Sequence, residues 1–157
     1  TNPAGATHQL MGVYDPALTA TLAEVLHTLG SRAAYVVHGA DGLDELSTTG
    51  LNRVSALRDG AVTTFDFDPT TLGLPRARLD DLLGGTPEEN AATTRAILAG
   101  ADRGPRRDIV LLNAAAALGL ETGDWAGGLA AAVAAIDTGA ALATLENWIG
   151  MTKSFRV

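Results

Sequence analysis

The stretch that decides the fold begins Leu10-Met11-Gly12-Val13-Tyr14-Asp15-Pro16, continues through a helical segment to Gly30 and ends on Ala33-Ala34-Tyr35-Val36-Val37-His38. Leu10-Met11-Gly12-Val13 is a short apolar run. Asp15-Pro16 supplies a side-chain cap followed by a proline suited to a first helical turn. Leu18, Leu22, Val25, Leu26 and Leu29 then recur at spacings of three and four, which predicts a helix with one buried face, ended by Gly30. The apolar run after it reads as a buried strand. Strand, helix and strand at this spacing form a βαβ unit, whose parallel strands present their C-terminal ends at a common edge where open α/β sheets collect ligands.

Working outward, Asp59-Gly60 stands between Arg53-Val54-Ser55-Ala56-Leu57 and Val62-Thr63-Thr64-Phe65-Asp66, which predicts a hairpin adding antiparallel strands to the sheet. Residues 69–78 read as irregular chain with a short turn at Pro69-Thr70-Thr71-Leu72. Thr86-Pro87-Glu88-Glu89 carries a capping box and a first-turn proline, opening a helix that ends near Gly100. Gly104-Pro105-Arg106-Arg107 reads as a connector, and Asp108 as the cap of a nearly all-apolar helix through Leu118. That helix should be the central buried one, with alanines that admit close neighbours. Asp124 starts a last helix over residues 124–148. The expected fold class is α/β, with a mixed, mostly parallel sheet flanked by helices.

The composition narrows the function. A chain of 157 residues suits one domain with a sizeable core. With 46% hydrophobic and 18% charged residues and a mean hydropathy of +0.15, it is too apolar for disorder and too interrupted for a membrane span. Eleven Lys+Arg against eighteen Asp+Glu leave a net charge of −7, which argues against nucleic-acid or anionic-membrane partners. The absence of cysteine removes disulfides, thiolate nucleophiles and thiolate metal sites, and favours a cytoplasmic setting. The opening Thr1-Asn2-Pro3-Ala4-Gly5, with no initiator Met, reads as loop from inside a longer chain, so a fragment is expected.

The chemistry points to Asp41-Gly42-Leu43-Asp44-Glu45, a glycine-bent acidic loop directly after the buried strand. Adjacent side chains on a regular strand face opposite ways, so Asp44 and Glu45 can serve one metal only where the backbone turns, and Gly42 supplies a bend. Hard divalent cations in phosphate chemistry take one or two carboxylates, completed by water and substrate oxygens. A solvated surface loop is the plainer reading of the same residues. Asp41 is a third possible ligand but reads better as a turn residue.

His38 reads as a satisfied strand-end group, and His8 and His27 as surface residues. Gly84-Gly85 ahead of a helix has the outline of a phosphate cradle, yet Glu88 and Glu89 in the first turn would repel an anion, so capping explains it better. Asn113 is expected to bond to a neighbouring loop. Trp125 and Trp148 are expected as core anchors or partner contacts. Nucleophile elbows, zinc-protease helices and Walker-type loops are absent from the sequence.

Several motifs occur in a fixed order: Thr1-Asn2-Pro3-Ala4; Gly12-Val13-Tyr14 with Pro16; Val37-His38-Gly39 with Asp41-Gly42-Leu43-Asp44-Glu45; Gly84-Gly85 with Glu88-Glu89-Asn90-Ala91; Asn113-Ala114-Ala115; and Ala135-Ile136-Asp137-Thr138-Gly139-Ala140. Together, over essentially the whole chain, the series resembles the C-terminal half of the anthranilate phosphoribosyltransferase family. The resemblance implies a large α/β domain of the nucleoside phosphorylase/phosphoribosyltransferase type, here incomplete. It implies attack of anthranilate on C1 of phosphoribosyl pyrophosphate with loss of pyrophosphate, a step of tryptophan biosynthesis, assisted by Mg²⁺ held on Asp44 and Glu45.

The family's glycine-rich phosphoribosyl pyrophosphate loop, its Lys-His-Gly-Asn stretch, its anthranilate-contacting arginine and the first helices of its dimer-forming helical domain all lie upstream of the Thr-Asn-Pro-Ala segment. Residues 1–157 are therefore expected to form the C-terminal part of the catalytic domain, inactive without the N-terminal half and homodimeric only when complete. Two alternatives stand beside this. A pyrimidine nucleoside phosphorylase has related architecture, but its reaction has little use for the Asp44-Glu45 pair. A non-catalytic α/β partner-binding fragment would carry the loop merely solvated.

Overall fold

The computed structural model describes residues 4–155; Thr1, Asn2 and Pro3 of the first motif lie outside the described residues. Strand β1 (His8–Gly12), helix α1 (Leu18–Thr28) and strand β2 (Ala33–Gly39) form the expected βαβ unit, with β1 and β2 parallel from His8 opposite Ala33 to Gly12 opposite Val37. Strands β3 (Asn52–Arg58) and β4 (Ala61–Phe67) follow as a hairpin, and the sheet order is β1-β2-β3-β4. Asp59 and Gly60 both take positive φ, 51° and 74°, the backbone of a two-residue turn whose twist matches the strands it joins. The sheet is mixed, as expected, but these strands are not mostly parallel. Within these four strands one pairing is parallel and two are antiparallel, because the hairpin adds both strands on the same side of β2.

β2 is buried on both faces and divides the core. Tyr35 and Val37 pack with Val54, Ala56, Leu112, Ala116 and Trp125 on one face, while Ala34 and Val36 pack with Ala23, Leu26 and Leu57 on the other. This is why its sequence is a continuous apolar run rather than an alternation. The α1 stripe is rotated from the expected one: Thr19, Ala23 and Leu26 are buried, while Val25 and Leu29 are exposed. Asp15 does not cap α1 itself. Its Oδ1 accepts from Ala17 N–H at 2.9 Å and closes the turn that precedes the helix.

Helix α2 (Pro87–Leu98) begins at the expected capping box, with Thr86 N–H donating to Glu89 Oε2 and Glu89 N–H donating to Thr86 Oγ1. Helix α3 (Pro105–Leu118) starts earlier than expected. Gly104 is its N-cap and Pro105 its first residue, so Asp108 lies in the first turn instead of capping it. Leu112 and Ala116 pack α3 on the sheet face opposite α1, Leu111 packs with Ile97, Ala132 and Ile136, and Val110 and Leu118 face outward.

The expected last helix is two helices, α4 (Trp125–Asp137) and α5 (Ala140–Ser154), bent by 67°. Gly139, at φ 79°, breaks the helix in the left-handed region that other residues rarely enter. Trp125 anchors the core against Tyr35 and Phe67, at ring-centroid distances of 5.1 and 4.2 Å, whereas Trp148 is exposed. Among the described residues no single helix is long and apolar enough to cross a membrane.

Candidate functional site

The parallel strands β1 and β2 both end in glycine, and the acidic loop lies against those ends. The carbonyl of Asp44 occupies the place of a side chain on Gly12, and Asp41 Oδ1 and Glu45 O crowd Gly39. A turn then forms: Gly42 N–H donates to Gly39 O at 2.9 Å and Gly39 N–H to Leu43 O at 2.8 Å, with Gly42 at φ 88°. Gly42 is thus the bend expected of it.

The loop is braced from within by Asp41. Its Oδ2 accepts from Ser47 Oγ at 2.8 Å and Thr49 Oγ1 at 2.6 Å, and its Oδ1 accepts from Leu43 N–H at 3.3 Å. Partial burial pushes the Asp41 carboxyl up, but the bonds from Thr49, Ser47 and Leu43 outweigh it and hold the group below its usual range. Asp41 is the turn residue rather than a free ligand.

Asp44 and Glu45 stand at the exposed tip, after which Leu46, Ser47 and Thr48 plunge into the core, each at 0% exposure. Partial desolvation of its carboxyl, then the charges of Asp44 and Asp41, push Glu45 above its usual range. The two acids therefore feel each other across space. Among the described residues neither takes part in a side-chain hydrogen bond or ion pair, and no group of three or more His, Asp and Glu is placed to hold a metal by itself. Two electron-rich carboxylates with free oxygens suit Mg²⁺, which commonly takes one or two protein carboxylates and fills its shell with phosphate oxygens and water.

The remaining candidates fall to structural roles. His38 Nδ1 donates to Val13 O at 2.9 Å and ties the ends of β1 and β2 together. His8 is half-buried and pairs with Glu121 at the opposite end of β1 from the acidic loop, and His27 lies on the exposed side of α1. Gly84-Gly85 belongs to a cap, with Gly85 N–H donating to Asn90 Oδ1 at 2.8 Å. A groove of about 660 Å³ between Leu82, Leu83, α2 and α3 lies apart from the acidic tip. Its two ionisable side chains are already engaged, Glu89 by Thr86 and Arg106 by Leu83 O. Asn113 bonds to a loop as expected, and the loop is the acidic one. Asn52, fully buried at the start of β3, is a further residue of the site that the sequence does not announce, since its burial shows only in the fold.

Residues 1–142 match the model of the glycosyl transferase family, a/b domain. The chain belongs to this family. Among curated relatives, the anthranilate phosphoribosyltransferase of Moorella thermoacetica is 54% identical over 159 residues, covering 99% of this chain and 46% of the relative. That of Desulfosudis oleivorans is 49% identical, over 98% of this chain and 46% of the relative. The chain spans about half the length of the curated relatives it matches.

Solved structures of the family superpose closely on the fold. Anthranilate phosphoribosyltransferase from Thermus thermophilus does so at a TM-score of 0.80 and 39% identity, over 88% of this chain and 41% of that one. The Saccharomyces cerevisiae enzyme in complex with PRPP and Mg gives 0.84 at 30% identity, over 94% and 43%. The same yeast protein in complex with 4-fluoroanthranilate gives 0.86 at 30%, over 95% and 44%.

Proposed function

We propose that this glycosyl transferase domain is the C-terminal part of the catalytic domain of an anthranilate phosphoribosyltransferase. The enzyme transfers phosphoribosyl from phosphoribosyl pyrophosphate to anthranilate in tryptophan biosynthesis, in the cytoplasm. The amine nitrogen of anthranilate forms a bond to C1, the bond from C1 to pyrophosphate breaks, and the amine proton passes to solvent. The observation that carries the reading is the pair Asp44 and Glu45, exposed and mutually repelling at the C-terminal edge of two parallel strands. The names of the relatives, and the PRPP, Mg and 4-fluoroanthranilate held by the yeast protein, support it.

Asp44 and Glu45 are the residues that would hold Mg²⁺. When bound, the ion offsets the charge gathering on the departing pyrophosphate. No nucleophilic side chain is required, since the substrate supplies the amine. The work of this chain is to present two carboxylates on a fixed turn at the sheet edge, held in place by Asp41, Gly12 and Gly39. The rest of the catalytic apparatus, including the contacts to anthranilate and the helical dimer interface, belongs in this reading to the portion of the relatives that the chain does not match. The 157 residues alone are therefore proposed to lack transferase activity.

The test is formation of phosphoribosyl anthranilate, measured for the 157-residue chain alone, for the chain mixed with an N-terminal half, and for the intact protein. Activity that appears only with the second half present is expected. An intact protein that binds neither substrate, or that instead cleaves thymidine with phosphate, would overturn the reading.

A further inference from the structure

Two side-chain amides grip consecutive main-chain residues immediately after Glu45. Asn113, on α3, accepts from Leu46 N–H at 3.0 Å with Oδ1 and donates to Leu46 O at 2.8 Å with Nδ2. Asn52, at the start of β3, does the same to Ser47 at 2.7 and 2.9 Å. Each amide reproduces the two-bond exchange that a neighbouring strand would make. Asn113 reaches across 67 residues of sequence, and its second N–H is taken by Ile109 O at 3.0 Å, so both amide hydrogens are used. The Leu46 side chain is fully buried in the core with Leu112 and Ala116 of the same helix. Leu46 therefore cannot shift without losing two hydrogen bonds and withdrawing an apolar side chain.

We propose that Asn113 is a positioning residue for the acidic tip. By fixing Leu46 it sets the direction in which Glu45 leaves the main chain, and so keeps Glu45 beside Asp44 against their mutual repulsion. The inference rests on the reading that these two acids hold a divalent cation. Like charges on a loose loop would separate, and a cation would then have to order the loop as it bound; a loop held in advance spares that cost. Residues that orient metal-holding groups without touching the metal typically change affinity by about 10- to 100-fold when removed. Asn52 shares the task but also donates toward Gly50 O and Phe67 O, so its loss would disturb the hairpin as well. Asn113 is the separable member of the two.

A purely structural Asn113, tying α3 to the loop, would affect stability and nothing else. The intact protein is titrated with Mn²⁺, followed by electron paramagnetic resonance, alongside thermal unfolding in metal-free buffer and hydrogen exchange at the Leu46 amide. Asn113→Ala is expected to weaken Mn²⁺ binding about tenfold or more and to open the Leu46 amide to exchange. Unchanged Mn²⁺ affinity with a lowered unfolding temperature overturns the inference. If Asn113→Ala does not fold, Asn113→Gln, which keeps the amide but displaces it by one methylene, is read by the same two outcomes. Asp44→Asn and Glu45→Gln are titrated in parallel. If they bind Mn²⁺ as the parent does, the metal reading falls and this inference with it; if they lose binding while the Asn113 variants keep it, this inference falls alone.

Discussion

Gly12 and Asp44 meet main chain to main chain: a Cβ placed on Gly12 would stand 1.4 Å from the Asp44 carbonyl oxygen. The last residue of β1 thus has to be glycine for the acidic loop to close over the strand ends. Gly12→Ala is expected to push the loop outward, at a cost of about 1–3 kcal/mol or more, since the obstructing atom is backbone and not a flexible side chain. Unfolding temperature and Mn²⁺ affinity should fall together, and an unaffected affinity would show that the loop does not need this contact.

Glu45 carries a prediction with a definite sign. Partial desolvation first, then Asp44 and Asp41, raise its pKa in the folded state, so the folded protein holds this proton more tightly than the unfolded chain does. The stabilisation is full below the ordinary glutamate value and is lost as the pH rises through the raised one. In metal-free buffer Glu45→Gln should therefore be more stable than the parent at neutral pH, with the advantage vanishing in acid. Unfolding curves of the two proteins at both ends of the range measure it. Cation affinity should also decline on acidification from a higher pH than an ordinary glutamate would give.

Asp41 predicts the opposite dependence. Its lowered pKa means a contribution present above the ordinary aspartate value and lost as the pH falls through the lowered one. Asp41→Ala strands the hydroxyls of buried Ser47 and half-buried Thr49 and the Leu43 N–H, and should cost about 1–3 kcal/mol in urea unfolding at neutral pH. An acid-insensitive difference between parent and variant would contradict this role.

Away from the site, a Cβ on Gly128 of α4 would stand 2.3 Å from Ala115 O of α3. Gly128→Ala should separate these helices and destabilise the protein by about 1–3 kcal/mol, seen as a lower urea midpoint with an unchanged slope.

What could be read in the sequence was what is local. Thr86 and Glu89 cap one another three residues apart, Asp59-Gly60 turns within two residues, and the run from Ala33 to His38 is apolar because both faces of β2 are covered. Asp44 and Glu45 were legible as a candidate because carboxylates beside a bending glycine announce themselves. The Pro105 start of α3 was missed because Asp108 is the better cap by residue type, while proline needs only the first helical position. The break at Gly139 was missed because the alanines around it favour helix on both sides, and only the backbone shows the glycine left-handed. The grips on Leu46 and Ser47 were out of reach in detail: Asn113 could be expected to bond to some loop, but a contact across 67 residues names its partner only once the chain has folded.

The turn at Gly139 has a wider bearing. The segment from Trp125 to Ser154, laid out as one straight rod, would extend about 45 Å, more than enough to traverse the roughly 30 Å oily interior of a lipid bilayer, and the stretch is apolar enough to invite that fate. Bent instead into an elbow, it offers one arm to α3 and brings the other back to α2, where Arg95 meets Glu146. A single residue without a side chain thereby turns what would be one long rod into two arms that meet different helices of the same domain.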